Sequence, residues 1–583
     1  MRVPVGRAVV AAALAVALSG CTADPPPPIE STDSPRTTTP TPTQSTVVVA
    51  IDDVGTGFNP HLLADLSPTN AAVSSLVLPS PFRPVPDPAT PGVVNRVPDT
   101  GVLVSADVTA QQPFTITYRI RDEAQWSDGA PIAAEDFRYL WRQMITEPGV
   151  VDPAGYELIS DVDSSGGGKT VKVTMAAPYP AWRELFSDLL PAHLVKDTPG
   201  GFRSGLAETI PVSGSHFRIR SVDRGRDEIL LERNDRYWDA PAKPDQILLR
   251  RGGSADQLAD SIRSGDTQIA VLHGGSVVQA QLGIIPNVQV NSTYQPRALR
   301  LTVNGRFAPF TDERVRRAVL ALLDPRLLAA VGAQDTFQPE PAAAQVLSPS
   351  DPGYLPTEPP RPDTAAAAAL LGEVGYSRTL EPSPSTGSPR SVPMPFVRDA
   401  TALAFRIGVA EGDDTAIAVA NTAADQLRGA GVTAGVRVLE PEELYGPALL
   451  TGTVDAVVGW ADAGGDPATV LASRYGCPAA PTQSAQPAGG PESDRPEQLG
   501  PSNLSGVCDP ALQPTIDAGL HGIGDVAGTI ATLEPRLWDR SVVRPILQDQ
   551  TLVVVGPGVS GVGIGGPLPM GIFAGAERWA RQP

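Results

Sequence analysis

The 583-residue chain carries 45 Lys plus Arg against 64 Asp plus Glu, a formal net charge of −19, with 41% hydrophobic and 19% charged residues. That length predicts several units of ordinary domain size, and the acidity argues against nucleic acid as the main partner, which demands clustered cations, and would have the protein's surface repelled by anionic lipid. The 62 Pro and 56 Gly require long irregular segments between the folded parts.

Arg2 and Arg7 precede an apolar run from Ala8 to Leu18 that is too short to cross a hydrocarbon core needing about 20 residues, so residues 1–20 read as a signal peptide. The run ends Leu18-Ser19-Gly20-Cys21, which resembles the lipobox of bacterial lipoproteins, in which the Cys sulfur is acylated. The competing reading is a free or buried Cys in an ordinary signal peptide. Several acyl chains, at about 0.8 kcal/mol per buried methylene, would hold even an acidic protein to a bilayer through Cys21. Residues 21–46 include Pro25-Pro26-Pro27-Pro28 and Thr37-Thr38-Thr39-Pro40 and have almost no apolar content, so they form a Thr/Pro-rich tether. The expected location is therefore the extracytoplasmic face of the cell membrane, lipid-anchored.

Val47 to Ile51 opens the folded region as a buried strand. Phe114 to Ile120 alternates with period two and runs to a turn, Trp126-Ser127-Asp128-Gly129. Phe137, Leu140, Trp141 and Met144 then share one helix face, with Glu135 and Asp136 at its positive end. Lys169 to Thr174 is a strand after a hairpin tip at Gly166-Gly167-Gly168; Gly-Lys-Thr there lacks the upstream Gly of a phosphate loop, since residue 163 is Asp. Trp182, Leu185, Phe186 and Leu189 predict a second amphipathic helix.

A helix from Gln257 to Ile262 stops at Gly265 before a buried strand, Gln268 to Leu272. Helices follow at Val315 to Leu322 and Ala365 to Leu371, then a strand, helix, strand series at Ala404 to Val409, Ala416 to Leu427 and Val432 to Leu439. Gly429-Ala430-Gly431 has dinucleotide-fingerprint spacing but follows a helix and precedes a strand, so it reads as a helix stop. Val454 to Gly459 is a last buried strand, and the loop leaving it places Trp460, Asp462 and Asp466 at a sheet edge where ligands bind. The alternative is a core Trp with two solvated carboxylates.

Cys477 and Cys508 flank an irregular stretch, 478–507, and in an oxidising compartment they pair or remain two reduced thiols. No His-Glu-x-x-His, Cys-x-x-Cys or Gly-x-Ser-x-Gly motif occurs, so no metal, no cofactor and no enzymatic activity are expected.

Several stretches together resemble the extracytoplasmic solute-binding proteins of the peptide and nickel ABC-importer family. These are Trp126-Ser127-Asp128-Gly129 through Trp141, Arg233-Asn234-Asp235-Arg236-Tyr237-Trp238, Arg314-Val315-Arg316-Arg317-Ala318-Val319, Leu370-Leu371-Gly372-Glu373-Val374-Gly375-Tyr376, and Trp460 to Pro467. The resemblance implies a monomeric α/β fold of three lobes, periplasmic-binding-protein-like of the cluster C type, with a hinge between lobes. The first lobe would comprise 47–85, 207–300 and 545–583, the second 86–206, and the third 301–544 with a flexible insertion at 478–507.

Departures from the family pattern bear on the ligand. Ala133 stands where the family has a helix-capping Thr, and Ser213-Gly214-Ser215-His216 replaces its Gly-Thr-Gly stretch beside the cleft. Peptide binders place the Asp that pairs with the peptide ammonium where this chain has Ala463, and Asp462 is one residue early. On a strand that shift turns a side chain to the other face. The tether and the arginine-heavy basic set are most similar to an actinobacterial lipoprotein branch associated with mannosylated phosphatidylinositol. An amphiphilic glycolipid is therefore one expected ligand, with Ser213, Ser215 and His216 bonding its hydroxyls. An oligopeptide delivered to an ABC permease is the second, and a regulatory partnership with a membrane glycosyltransferase the third.

Overall fold

The computed structural model describes residues 45–89, 93–333, 341–378, 394–478, 502–565 and 570–581. The signal peptide, Cys21 and most of the tether fall outside these residues. Ser45 donates from its backbone and hydroxyl to Asp245, and the Thr46–Ile51 strand begins one residue later.

A ten-stranded sheet forms the spine. Its middle strands are the two longest in the chain, Gln289–Val303 and Val543–Val555, which run antiparallel. The first half of Gln289–Val303 pairs with the part of Val543–Val555 that continues onto Ile269–Leu272 and Thr46–Ile51. Its second half pairs on its other edge with Ala456–Asp462, which continues onto Ala404–Ala410. The register between the two long strands shifts between Tyr294 and Ala298. Pro296 lies inside that interval, and a residue without an N–H interrupts a ladder and favours a bulge.

On either side of the long strands the apolar residues form separate cores. Val49, Phe137, Tyr118 and Trp579 belong to one cluster, which runs without a break into a four-stranded antiparallel sheet made of Leu103–Gln111, Phe114–Ile120, Thr170–Met175 and Ile159–Ser165. Leu299, Val319, Phe405 and Val458 belong to the other. Two cores joined by two continuous strands leave an interface that opens or closes by bending those strands.

Most elements follow the sequence pattern. The Ala134–Thr146 helix buries Phe137, Leu140, Trp141 and Met144. Gly265 ends the Ala255–Ser264 helix at φ 77°. The glycines at 166–168 turn a hairpin between paired strands. The 182–189 segment differs: a single 3-10 turn, Trp182–Glu184, replaces the expected helix. Phe186 and Asp188 adopt φ 64° and 50°, and their amides donate to Tyr156 Oη and Ser80 Oγ, both at 2.8 Å. Side-chain acceptors thus take the N–H groups that a helix would use. The stretch 478–507 also departs from expectation at its end. Ser502, Asn503 and Ser505 are buried, and Arg306 donates to the carbonyls of Asn503 and Leu504. Cys477 and Cys508 are joined by a disulfide.

Candidate ligand-binding site

The largest described cavity, about 600 Å³, lies between the two cores. One wall carries Asp52, Asp53, Thr69 and His273; the other carries Asp413 and Asp414 at the start of the Asp414–Gly429 helix. A second compartment of about 130 Å³ adjoins it and shares Leu66, Ser67 and Arg297. Its character is different: Phe82, Pro84, Leu66 and Met570 supply apolar surface, among the guanidiniums of Arg83, Arg96 and Arg297.

Arg297 follows Pro296 in the bulge, and Asp462 stands opposite it in register on the neighbouring strand. Its guanidinium lies 3.9 Å from the Trp460 ring centroid, a diagonal cross-strand contact with cation–π geometry. Nε donates to Asp549 at 2.6 Å and Nη1 to the Leu66 carbonyl at 2.9 Å. His273 completes the network, with Nδ1 2.8 Å from Asp52 and Nε2 2.7 Å from Asp549. An imidazole with a carboxylate at each nitrogen donates to both only as the cation. The two carboxylates overcome the opposing effect of burial and push the His273 pKa up to about 10, while Arg297 and His273 hold Asp549 far below the ordinary carboxylate range despite its burial. The network joins Asp52, next to the Thr46–Ile51 strand, to both long strands, and so fixes the floor of the cleft.

This arrangement predicts a specific pH dependence. The His273 pKa is raised above its ordinary 6.5, so its contribution to stability is complete below that value and is lost as pH rises towards about 10. Asp549 acts in the opposite sense, its contribution failing only at pH below the ordinary carboxylate range. Urea midpoints recorded between pH 6 and 10.5 should fall towards alkali, and His273→Gln should flatten that fall; an equal alkaline fall in the variant would contradict the assignment.

The expected site residues divide. Trp460 and Asp462 lie on the Ala456–Asp462 strand, which runs three residues past the expected end, and not in a loop. Trp460 is buried beneath Arg297, so it supports the cleft floor. Asp462 lines the smaller compartment, and the one-residue shift does not turn it away from the cleft. Burial, followed by the charge of Asp152, pushes its pKa up to about 8, so it is mostly a neutral acid at pH 7. Asp466 caps the Pro467–Tyr475 helix by accepting from the backbone and hydroxyl of Thr469, at 2.9 and 2.8 Å. It lines neither compartment.

Ser213, Ser215 and His216 do not line either compartment. The Ser213 hydroxyl reaches the carbonyls of Val77 and Phe217, and Ser215 is buried beside Arg83. His216 packs against Tyr237 with ring centroids 4.1 Å apart and the planes tilted by 38°. Small side chains fit here because the chain passes tightly against Pro79 and Ile132 at Gly214. The residues missed from sequence are Asp52, His273, Arg297 and Asp549. An Asp52-Asp53 pair directly after a buried strand was the available signal.

The family model for bacterial extracellular solute-binding proteins, family 5, matches residues 100–481. The chain belongs to this family. It is 50% identical to the probable monoacyl phosphatidylinositol tetramannoside-binding protein LpqW of Mycobacterium tuberculosis, over 100% of this chain and 98% of that protein. The oligopeptide-binding protein AppA of Bacillus subtilis, solved with a nonapeptide, superposes with TM-score 0.67 at 14% identity, covering 93% of this chain and all of that one. The periplasmic EDTA-binding protein EppA gives 0.64 at 20% identity, covering 93% and 97%. The fold is therefore the three-lobed α/β arrangement of family 5 binding proteins with a hinge between lobes, and the chain is a solute-binding protein of an extracytoplasmic family. Among the described residues, no helix is long and apolar enough to cross a membrane.

Proposed function

We propose that the chain captures an amphiphilic glycolipid of the phosphatidylinositol mannoside type by hinge closure, at the outer face of the membrane and in cell-envelope lipoglycan metabolism. The observation that carries this reading is the division of the cleft into two compartments that meet at Leu66, Ser67 and Arg297. In the larger one Arg251 is paired with Asp227 at 3.0 Å and His273 with Asp52, while Asp53, Asp413 and Asp414 add further carboxyl oxygens. Carboxylates accept strong hydrogen bonds from sugar hydroxyls. The smaller one presents Arg83, Arg96 and Arg297, paired with Asp99, Glu184 and Asp549 respectively, to a phosphodiester, and Phe82, Pro84 and Met570 to the first methylenes of a lipid. The full-length similarity to LpqW supports the same class. Acylation at Cys21 would hold the protein beside such a lipid.

An oligopeptide is the second reading, favoured by Asp462 lining the smaller compartment. Mass spectrometry of material retained by protein purified from a mannoside-producing host separates the two. Mannosylated phosphatidylinositol at close to one molecule per chain is the expected result. Recovery of peptides in its place would overturn the proposal.

A further inference from the structure

A third cavity, of about 40 Å³, shares Trp460 with the floor of the cleft and is lined by Asp152, Arg300, Arg474, Ser502 and Ser505. Its cations are not balanced. Arg300, on the Gln289–Val303 strand, is 6% exposed and forms no ion pair among the described residues. Nη1 reaches the Gln345 carbonyl at 3.4 Å, and its buried Nε has no hydrogen-bond partner there. Arg474, on the Pro467–Tyr475 helix, pairs with Asp152 through Nε at 2.9 Å and Nη2 at 2.5 Å. Its buried Nη1 is likewise without a partner among the described residues.

Of the two guanidiniums, only that of Arg474 thus has a carboxylate within ion-pair distance among the described residues. The neighbouring acids do not make up the difference. Asp351 lies beyond ion-pair reach and accepts from the Ser348 amide, and Asp462 is mostly protonated at neutral pH. Burial first, and then the Arg474 charge, lower the Arg300 pKa to about 10. An unpaired buried cation is strongly destabilising, and each orphaned N–H adds to that. Neutralisation by a bound ion removes both penalties.

We infer that this cavity is a binding site for a small monovalent inorganic anion of the halide class, held by Arg300 and Arg474. The cavity has room for such an ion beside the two guanidiniums. The walls come from distant parts of the chain. Arg300 belongs to a hinge strand, Asp152 follows the Ala134–Thr146 helix, and Ser502 and Ser505 belong to the segment tied down by Cys477 and Cys508. A bound halide, held by Arg300 and Arg474, therefore joins a hinge strand to the Pro467–Tyr475 helix.

Thermal unfolding of lipid-free protein in sodium chloride, sodium bromide and sodium gluconate at equal ionic strength tests the site. The midpoint is expected to rise saturably by about 2 to 4 °C in either halide and not in gluconate. Arg300→Met, which keeps the volume and removes the charge, should abolish the difference. Equal midpoints in all three salts, or an undiminished halide effect in Arg300→Met, would overturn the inference. Should that variant fail to fold, anomalous diffraction from wild-type crystals grown in bromide decides: a peak between Arg300 and Arg474 supports the site, and its absence rejects it.

Discussion

Asp549→Ala is expected to destabilise the protein by about 3 to 5 kcal/mol at pH 7, the range for breaking a buried ionic network by removing one partner. Asp549 is 2% exposed and accepts from both Arg297 and His273. Without it two cations face each other at the cleft floor with only Asp52 to compensate, and the His273 pKa falls towards its ordinary value. The alkaline loss of stability should then begin at lower pH. Asp549→Asn keeps an acceptor oxygen and should cost less than Ala, though it leaves the same charge imbalance. Urea unfolding followed by tryptophan fluorescence measures both variants. A loss below about 1 kcal/mol for Ala, the range of an exposed pair, would show that the network is not the buried tie described.

Asp136→Ala is the second substitution with a large expected effect, about 3 kcal/mol. The Asp136 carboxylate accepts from the Ala133 amide at 3.0 Å, the Ala192 amide at 3.0 Å and Trp126 Nε1 at 3.3 Å. Ala133, in the N-cap position, contributes no side-chain acceptor. The returning half of a capping box therefore persists without its other half. Removing the carboxylate leaves three donors unsatisfied, at about 1 kcal/mol or more each. Burial pushes the Asp136 pKa up to about 6, so the carboxyl is ionised only above that value, and this ionisation costs stability as pH rises from the ordinary carboxylate range towards about 6. Asp136→Asn should retain roughly half of the stability that Ala loses. Equal losses for Asn and Ala in the same denaturant assay would count against this account of the cap.

The same residues show what could be read from the sequence. Ala133 in place of Thr announced a weakened cap, yet nothing in the sequence stated that Asp136 would serve the Ala192 amide as well, 56 residues away. Strands such as Phe114–Ile120 and helices such as Ala134–Thr146 were legible because alternation and 3.6-residue spacing report which face is buried. Trp182, Leu185, Phe186 and Leu189 carry helical spacing and are all buried, but spacing reports burial and not backbone, and the left-handed φ at Phe186 left no sequence trace. The site was less legible than the fold. Trp460 and Asp462 follow from the family pattern, whereas His273 meets Asp52 and Asp549 across separations of 221 and 276 residues. No local motif encodes contacts of that kind. Ser213 and Ser215 were offered to a ligand because they are hydroxyls near the expected cleft, but the Ser213 hydroxyl is bonded to backbone carbonyls and both side chains are buried.

The ligand itself is the point on which the functional reading stands or falls. A peptide ammonium held at Asp462 would need that residue to ionise within its buried surroundings, since Ala463 supplies no charge there, and with its pKa pushed up to about 8 that ionisation would release a proton on binding at pH 7. Hydroxyls and a phosphodiester make no such demand. Titration calorimetry of lipid-free protein at pH 7, with a soluble mannosylated phosphatidylinositol and with tri- to pentapeptides, tests this directly. Micromolar or tighter binding of the glycolipid, at least about 100-fold weaker binding of the peptides, and no effect of Asp462→Asn on the glycolipid are the predicted results. Sub-micromolar peptide binding that releases a proton and disappears in Asp462→Asn, with no binding of the glycolipid, would contradict it.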